Sequence, residues 1–279
     1  MIKDKVKNIV RGILPLSLRK PIVTWMNGQE WIDPDRRYWW TMELLRDFAE
    51  KDINRYHKFM WANHLTYAVT YEVEKQFGNE NMKRSRKIFF SELASVLSKL
   101  GKDVKKDINS IFEVGCSLGY QLRYLETEIF TSASKIEGID IDDQAIVEGS
   151  HYLKELGSKV KITCADMEDI SISMSDKLYD VLVCSGVLLY LNEESGTRLV
   201  ELMLKHTGTL LAMSGLAHPE VDNKELKNSV TRDGDGTFIH NMDSMVKEAG
   251  GKVVARRWEG SKIFDGHTIY FIFALKEKG

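Results

Sequence analysis

The chain has 279 residues, 43% of them hydrophobic, and its 39 Lys and Arg residues nearly balance 41 Asp and Glu residues. This length allows one α/β domain with an appended segment, since single α/β domains reach about 250 residues. The net charge of −2 argues against a nucleic-acid backbone as partner. Three cysteines, no signal-peptide pattern and no apolar stretch of about 18 residues predict a cytoplasmic protein with buried, reduced thiols.

The chain begins with a basic amphipathic pattern. Apolar residues recur at helical spacing from Ile2 to Ile13 and the cations lie on other faces, so a helix is predicted up to Pro15. Such a helix can lie on an anionic membrane surface. Short helices of this kind more often pack on their own domain or on a partner subunit, so membrane contact of residues 1–14 is the less favoured alternative.

Residues 1–107 have a helical pattern and contain five of the six tryptophans. At helical spacing, the side chains of Trp61, His64 and Tyr71 share one face and can point together. Two interpretations are open: these aromatics line a binding site, or they hold the helices against the sheet. The polar run 83–87 indicates a solvated helix face.

The most informative stretch is residues 111–119, where an apolar run ends in an acid and breaks into a glycine loop. This pattern predicts a strand that leads into a nucleotide-binding turn. Two later apolar runs also end in acids. Ligands of an open parallel sheet bind outside the carboxyl ends of its strands, so the three carboxylates are predicted at one binding edge. These acids are Glu113, Asp140 and Asp166.

The loop differs from the dinucleotide fingerprint, which would need glycines where Ser117 and Tyr120 stand. Glu113 would also place negative charge beside a pyrophosphate, which binds at the positive end of a helix. A ligand with an amino group suits this carboxylate better, and Asp140 suits the two hydroxyls of a ribose. Asp140 could instead cap the next helix, although Asp142 is the better candidate for that cap.

These features resemble the class I S-adenosylmethionine-dependent methyltransferases, whose first motif is an acid followed by G-x-G-x-G. Serine replaces the middle glycine here, and serine tolerates a positive φ less well. The resemblance covers residues 85–279 and implies S-adenosylmethionine as cofactor. It implies that Glu113 contacts the methionine amino group, Asp140 the ribose and Asp166 the adenine amine. Ile141 and Met167 would contact the adenine ring, and Ser185 would lie beneath the methyl group. The loop residues that would contact the cofactor are Gly115, Cys116, Ser117 and Gly119.

The resemblance also assigns a role to the N-terminal part of the chain. It implies that residues 1–107 form a helical cap over the cofactor and that Trp61, His64 and Tyr71 help to build the acceptor pocket. Residues 108–279 would then form the cofactor-binding domain. One arginine of the run 83–87 is a candidate partner of the cofactor carboxylate.

From about residue 108 onward predicted strands and helices alternate, which indicates a mostly parallel sheet with right-handed crossovers. Two β-rich runs at the end of the chain suggest an antiparallel edge pair. Together with the resemblance, this predicts a Rossmann-like, doubly wound sheet of seven strands. The later elements are predicted as a strand and loop over 179–191, a helix over 193–205, a strand over 208–214, a polar excursion over 215–239, a helix over 241–249 and strands over 252–258 and 267–275.

Methyl transfer from a sulfonium needs little help beyond orientation, which can supply roughly 7 to 11 kcal/mol of the barrier. A base is required only when the acceptor must lose a proton. Three residues that follow the fourth and fifth strands are candidates, and each can equally be structural. They are Tyr190, His218 and His240.

Missing motifs narrow the acceptor. Residues 185–188 read SGVL where nucleic-acid amino-methyltransferases carry an Asn/Asp-Pro-Pro-aromatic motif, so base methylation of that type is disfavoured. The carboxylate cluster of metal-dependent catechol methyltransferases is not recognisable, and no metal is expected. The favoured function is methyl transfer to oxygen, nitrogen or sulfur of a small polar or saccharide acceptor. The open alternatives are a protein or RNA methyltransferase and a non-catalytic module of the same fold.

Overall fold

The computed structural model describes residues 14–29, 31–66, 68, 71–169, 177–232 and 235–277. The basic helix predicted before Pro15 therefore lies, except for Leu14, outside the described residues. The chain forms two compact units. One comprises residues 1–72 with 142–145, and the other comprises residues 73–141 with 146–279.

The first unit is helical, and each of its last two helices has an aspartate as its N-cap residue. Asp33 accepts a hydrogen bond from the backbone N–H of Arg36, and Asp52 accepts one from that of Arg55, both at 3.1 Å. The helices are α1 (Leu16–Asn27), α2 (Pro34–Lys51) and α3 (Ile53–Ala62). Their apolar faces form a small core of Val23, Leu45, Phe48, Tyr56, Met60 and Leu65.

The second unit is built on a seven-stranded sheet in the order β3-β2-β1-β4-β5-β9-β8. The five strands from β3 to β5 are parallel, and β9 pairs antiparallel with both β5 and β8. The strands are β1 (Ser110–Val114), β2 (Lys135–Asp140), β3 (Lys161–Cys164), β4 (Tyr179–Ser185), β5 (Thr207–Gly215), β8 (Gly251–Phe264) and β9 (His267–Lys276), with a separate ribbon of β6 (Val230–Thr231) and β7 (Phe238–Ile239).

Helices cover both faces of this sheet, because alternate residues of β9 pack against different helices. Phe271 and Phe273 contact Phe89, with ring centroids 5.0 and 5.6 Å apart. Ile272 and Ala274 lie in the other core, with residues of the two helices after β4 and β5. The helices of the unit are α4 (Val73–Phe77), α5 (Arg84–Lys99), α6 (Tyr120–Tyr124), α7 (Asp143–Glu155, of which residues 143–145 belong to the first unit), α8 (Glu193–Lys205) and α9 (Met242–Glu248).

The fold prediction is confirmed, including the antiparallel strands at the end of the chain. Strand β8 is longer than predicted and extends to Phe264 instead of residue 258. Helix α5, although it precedes residue 107, packs on β5, β8 and β9 within the second unit. The assignment of residues 1–107 to a cap stays a prediction.

Candidate functional site

The loop after β1 has left-handed backbone at three positions, with φ of +74° at Gly115, +49° at Ser117 and +81° at Gly119. A Cβ atom on Gly115 would lie 2.2 Å from Cγ2 of Val187, so any other residue there would clash unless Val187 moved. Ser117 adopts the left-handed region despite its Cβ, at a cost on the order of 1 kcal/mol. The serine in the glycine pattern therefore leaves the turn in place.

Glu113 ends β1 with a carboxylate that is fully buried. Neither of its oxygens has a hydrogen-bond partner among the residues that the structure describes. Desolvation raises the pKa of this carboxyl to about 8, while the charge of Arg86 opposes the shift and the charge of Asp140 adds to it. Because an unpaired buried acid is costly, this group is suited to binding a cation such as an ammonium.

Asp140 ends β2 beside the glycine loop. It is buried, and its Oδ2 accepts a hydrogen bond from the backbone N–H of Ser117 at 2.8 Å. Asp142 caps helix α7, since its Oδ1 accepts from the N–H of Ala145 at 3.1 Å. The cap is therefore supplied by Asp142, as the sequence favoured, and Asp140 stays with the loop.

The third acid lies in a short turn after β3. Oδ1 of Asp166 accepts from the backbone N–H of Glu168 at 3.0 Å, and Met167 packs against the core beside β1 and β4. Both side chains are partly exposed, as is that of Ile141. The adenine contacts assigned to these residues stay predictions.

Arg86, in the first turn of α5, contacts the carboxyl ends of β4 and β5. Its guanidinium donates hydrogen bonds to Oγ of Ser185 and, at 3.0 Å, to Oγ of Ser214; the two hydroxyls are 2.8 Å apart. Within the described part of the chain, no carboxylate pairs with Arg86. The sequence does not distinguish the two arginines of the run 83–87. In the structure, Arg84 lies over the ring of Phe264 instead.

His240 has both ring nitrogens engaged. Its Nε2 lies 2.9 Å from the carbonyl oxygen of Leu188, and its Nδ1 lies 2.6 Å from Oγ of Ser229. Burial lowers the pKa of the imidazole, so the neutral ring is favoured. These contacts give His240 a structural role in joining two loops, and its predicted acid–base role is untested.

The other two base candidates differ from His240 in their surroundings. Nδ1 of His218 accepts hydrogen bonds from the backbone N–H groups two and three residues further on, at 3.3 and 3.1 Å, and so closes a turn. Tyr190 ends a short helical turn after β4. It lies close enough to Arg232 to contribute to a raised guanidinium pKa, whose largest cause is the hydrogen bond with Asp235. The base roles of His218 and Tyr190 stay predictions.

The helical face predicted for Trp61, His64 and Tyr71 is wrong, because α3 ends at Ala62. His64 then takes a left-handed φ of +52°, which no spacing pattern in the sequence reveals. Tyr71 is therefore not on the helix that carries Trp61. The acceptor-binding role of the three residues remains a prediction.

His64 is instead held by hydrogen bonds within the first unit. Its carbonyl accepts from Nδ2 of Asn27 at 2.8 Å, and its Nδ1 lies 2.7 Å from Oδ2 of Asp142. The side chain is 11% exposed. The sequence pattern gives no sign of this contact, because the two residues are 78 positions apart.

None of the three cysteines forms a disulfide bond, and two of them are buried. Burial raises the pKa of the Cys184 thiol to about 12 and that of Cys116 as well. Cys164 is exposed, which corrects the prediction of three buried thiols, because β3 is an edge strand. Across the described residues, no group of three or more His, Cys, Asp or Glu could hold a metal ion. None of the described helices is long and apolar enough to cross a bilayer.

A family comparison identifies the part of the chain that carries this site. Residues 111–208 match the family model described as a methyltransferase domain. The match begins within β1 and contains the glycine loop, all three strand-end acids and the loop after β4. A comparison with curated proteins finds no significant match.

Solved structures with the same fold have low sequence identity. A S-adenosylmethionine-dependent methyltransferase from Clostridium acetobutylicum ATCC 824 aligns with a TM-score of 0.51 at 9% identity, over 69% of this chain and 92% of that one. Magnesium protoporphyrin IX methyltransferase from Synechocystis PCC 6803 aligns with a TM-score of 0.50 at 12% identity, over 90% and 100%. The [4+2]-cyclase SpnF aligns with a TM-score of 0.50 at 15% identity, over 67% and 81%.

The sheet order and the glycine loop are those of the class I methyltransferase fold, and residues 111–208 match the methyltransferase-domain family model. The chain thus contains a S-adenosylmethionine-dependent methyltransferase domain at residues 111–208. The predictions of family, enzyme class and cofactor made from the strand-end acids are thereby confirmed.

Proposed function

We propose that the enzyme transfers the methyl group of S-adenosylmethionine to oxygen, nitrogen or sulfur of a small polar or saccharide acceptor. Absence of the Pro-Pro motif at residues 185–188 supports an acceptor other than a nucleic-acid base. The near-neutral net charge supports the same choice. The reduced state of the three cysteines is consistent with a cytoplasmic location, which we also propose.

The observation that carries the cofactor assignment is the buried Glu113 carboxylate. Its unpaired oxygens and raised pKa fit a site that is completed by a cationic group. The methionine end of the cofactor carries an ammonium and a carboxylate. Glu113 would hold the ammonium. Arg86, whose hydrogen bonds to the described residues go to the hydroxyls of Ser185 and Ser214, would hold the carboxylate.

The remaining strand ends would hold the nucleoside. Asp140 would accept hydrogen bonds from the ribose hydroxyls, and Asp166 would accept one from the adenine amine. Ile141 and Met167 would lie on either side of the ring. The loop residues Gly115, Cys116, Ser117 and Gly119 would allow close approach of the backbone, with Ser185 below the methyl group.

Methyl transfer requires the acceptor atom to lie in line with the carbon–sulfur bond of the cofactor, whose sulfonium supplies an activated methyl group. The chain's own contribution is therefore to bind, orient and exclude water. We propose that residues 1–107 act as the cap and that the acceptor pocket combines residues of this cap with residues that follow β4 and β5. The proposed pocket residues are Trp61, His64 and Tyr71 from the cap and Tyr190, His218 and His240 from the domain.

The experiment described below also distinguishes two other functions. The fold is shared with an enzyme named as a [4+2]-cyclase, so fold alone does not determine the reaction. A module without cofactor would have no use for an unpaired buried carboxylate. A protein or RNA acceptor would require an open groove instead of a closed pocket.

The test has two stages, both with the full chain. Calorimetry with S-adenosylhomocysteine should show binding, and absence of heat and of a thermal shift would contradict the cofactor assignment. Labelled S-adenosylmethionine is then incubated with separate metabolite, protein and RNA fractions. Label in a small molecule supports the proposal, whereas label only in protein or RNA overturns the acceptor choice.

A further inference from the structure

The first turn of α5 carries charges that disfavour the start of a helix. Arg84 and Arg86 lie in this turn, which contains no acidic residue, and the N-cap residue Lys83 supplies no side-chain hydrogen bond. The N-terminus of a helix has partial positive charge and unpaired N–H groups, so cations there are unfavourable and an acceptor is required. Such a departure from the local rules of helix formation is expected where a side chain is kept for function.

The missing cap comes from a distant part of the chain. Oδ2 of Asp265 accepts hydrogen bonds from both the backbone N–H and the hydroxyl of Ser85, each at 2.8 Å, and the two residues are 180 positions apart. Desolvation opposes ionisation of Asp265, but the hydrogen bonds from Ser85 lower the pKa of its carboxyl below the usual value. A carboxylate therefore compensates the positive end of α5.

The turn that presents Asp265 has a defined geometry. Asp265 and Gly266 have φ of +51° and +87°, and Phe264 pairs with His267 on either side of them. Asp-Gly with positive φ at both central positions is a favoured sequence for the two-residue hairpin turn. The guanidinium of Arg84 lies 5.8 Å from the ring centroid of Phe264, so the turn between β8 and β9 meets α5 at two adjacent residues.

Arg86 follows Ser85 directly, so the cap also fixes where this side chain begins. Nη1 of Arg86 donates to Oγ of Ser185 and to Oγ of Ser214, at the carboxyl ends of β4 and β5. Nη2 lies against Gly186, where a Cβ atom would be 2.9 Å from it. A shift of the first turn of α5 would therefore move the guanidinium away from the strand ends.

We propose that Asp265 is a positioning residue for cofactor binding, because its carboxylate caps α5 and thereby holds Arg86 where it binds the carboxylate of S-adenosylmethionine. This inference rests on the proposed function, which gives Arg86 that contact. Asp265 acts through Arg86. Its effect should be confined to the amino-acid end of the cofactor, since the nucleoside would be held at the ends of β2 and β3.

The test compares the binding of two ligands to the full chain by calorimetry. S-adenosylhomocysteine carries the amino-acid group, and methylthioadenosine has the same nucleoside and a thioether without that group. We expect Arg86→Gln to weaken S-adenosylhomocysteine binding by at least about tenfold and Asp265→Gly to weaken it by about fivefold, with methylthioadenosine binding unchanged in both. Glycine adopts the left-handed backbone without strain, so Asp265→Gly removes the carboxylate and keeps the turn.

Two further variants serve as controls. Asp265→Asn keeps an oxygen acceptor and tolerates a left-handed φ, so it should bind S-adenosylhomocysteine within about twofold of the wild type. Asn192 caps α8 by accepting a hydrogen bond from the N–H of Ser195 at 2.9 Å. Asn192→Ala should lower the melting temperature, as loss of a cap does, and should leave the ratio of the two affinities unchanged.

Two results would overturn the proposal. One is a selective loss of S-adenosylhomocysteine binding in Arg86→Gln with no loss in Asp265→Gly, which would leave the role proposed for Arg86 in place. The other is an equal loss of both ligands in Asp265→Gly, which would make the cap a structural contact only. If Arg86→Gln weakened both ligands equally or neither of them, the assignment of Arg86 to the cofactor carboxylate would be wrong, and the inference would fail with it.

Discussion

The two halves of the sheet's carboxyl edge are built in opposite ways. At the end of β1 and in the loop that follows it, the Glu113 carboxylate and Oγ of Ser117 are buried without hydrogen-bond partners among the described residues. In the loops after β4 and β5, the buried Asn223 makes three hydrogen bonds, donating to the carbonyls of Leu216 and His240 and accepting from the N–H of His218, at 2.7 to 3.0 Å.

This difference separates a binding surface from a scaffold. Unsatisfied buried polar groups are costly to keep, so their concentration after β1 points to groups that a ligand completes. The satisfied network around Asn223 requires nothing further. Histidines in that network therefore carry less evidence of catalysis than their position after the strands suggested.

The largest effect on cofactor affinity is expected from Gly115→Ala. The new Cβ would strain a left-handed residue and clash with Val187, for a total of about 3 kcal/mol, so S-adenosylhomocysteine should bind on the order of a hundredfold more weakly. Calorimetry measures this change. Gly101→Ala has a similar positive φ but no atom within 4 Å of the new Cβ, so it controls for backbone strain alone. Equal affinity of the two variants would show that the contact with Val187 does not matter.

Asp140→Ala should weaken S-adenosylhomocysteine binding by at least about tenfold. It removes a charged acceptor for the ribose hydroxyls, worth about 1.5 to 3 kcal/mol per hydrogen bond, and it also frees the N–H of Ser117. Asp180 accepts two backbone hydrogen bonds at the opposite end of the sheet. Asp180→Ala should therefore lower the melting temperature without changing affinity. If Asp180→Ala lost as much affinity as Asp140→Ala, misfolding would explain both losses.

The pH dependence of binding should show a smaller change, of about fivefold between about pH 7 and pH 8. Because the pKa of Glu113 is raised to about 8 without ligand, the carboxyl is mostly neutral at the lower pH, and binding of an ammonium must release its proton. Affinity should therefore rise with pH over this interval. Glu113→Gln should bind weakly with no such dependence.

The raised pKa of Glu113 makes folding stability change with pH in the opposite direction to cofactor affinity. The folded, ligand-free protein holds the proton more tightly than the unfolded chain, so stability falls as pH rises from the ordinary range of a carboxyl toward about 8. Glu113→Gln should stabilise the ligand-free protein by about 2–4 kcal/mol at pH 8 and little at low pH. Thermal unfolding at both pH values measures this, and a destabilised variant at pH 8 would show that Glu113 is paired in solution.

The smallest effect is expected at His218. In His218→Asn, the amide oxygen can accept the backbone hydrogen bonds that Nδ1 accepts, so this variant should keep the turn and leave turnover nearly unchanged. His218→Ala removes the acceptor and should lose about 1 kcal/mol of stability. Turnover with the identified acceptor and thermal unfolding are compared for both variants. If turnover is lost in both while S-adenosylhomocysteine still binds, His218 is the base and the scaffold interpretation of this half is wrong.

The local sequence pattern was sufficient to predict those functional residues that directly follow strands in the sequence. The order of acids and glycines from Glu113 to Asp166 predicted the sheet, the cofactor and the family, because buried parallel strands are apolar runs and their ends must carry the ligand-binding groups. Tertiary structure alone decided the rest. Arg86 reaches Ser185 and Ser214 only when α5 packs on β5 and β9, and the left-handed His64 ends a helical face that spacing predicted to continue. Such contacts join residues tens of positions apart, so sequence periodicity carries no record of them.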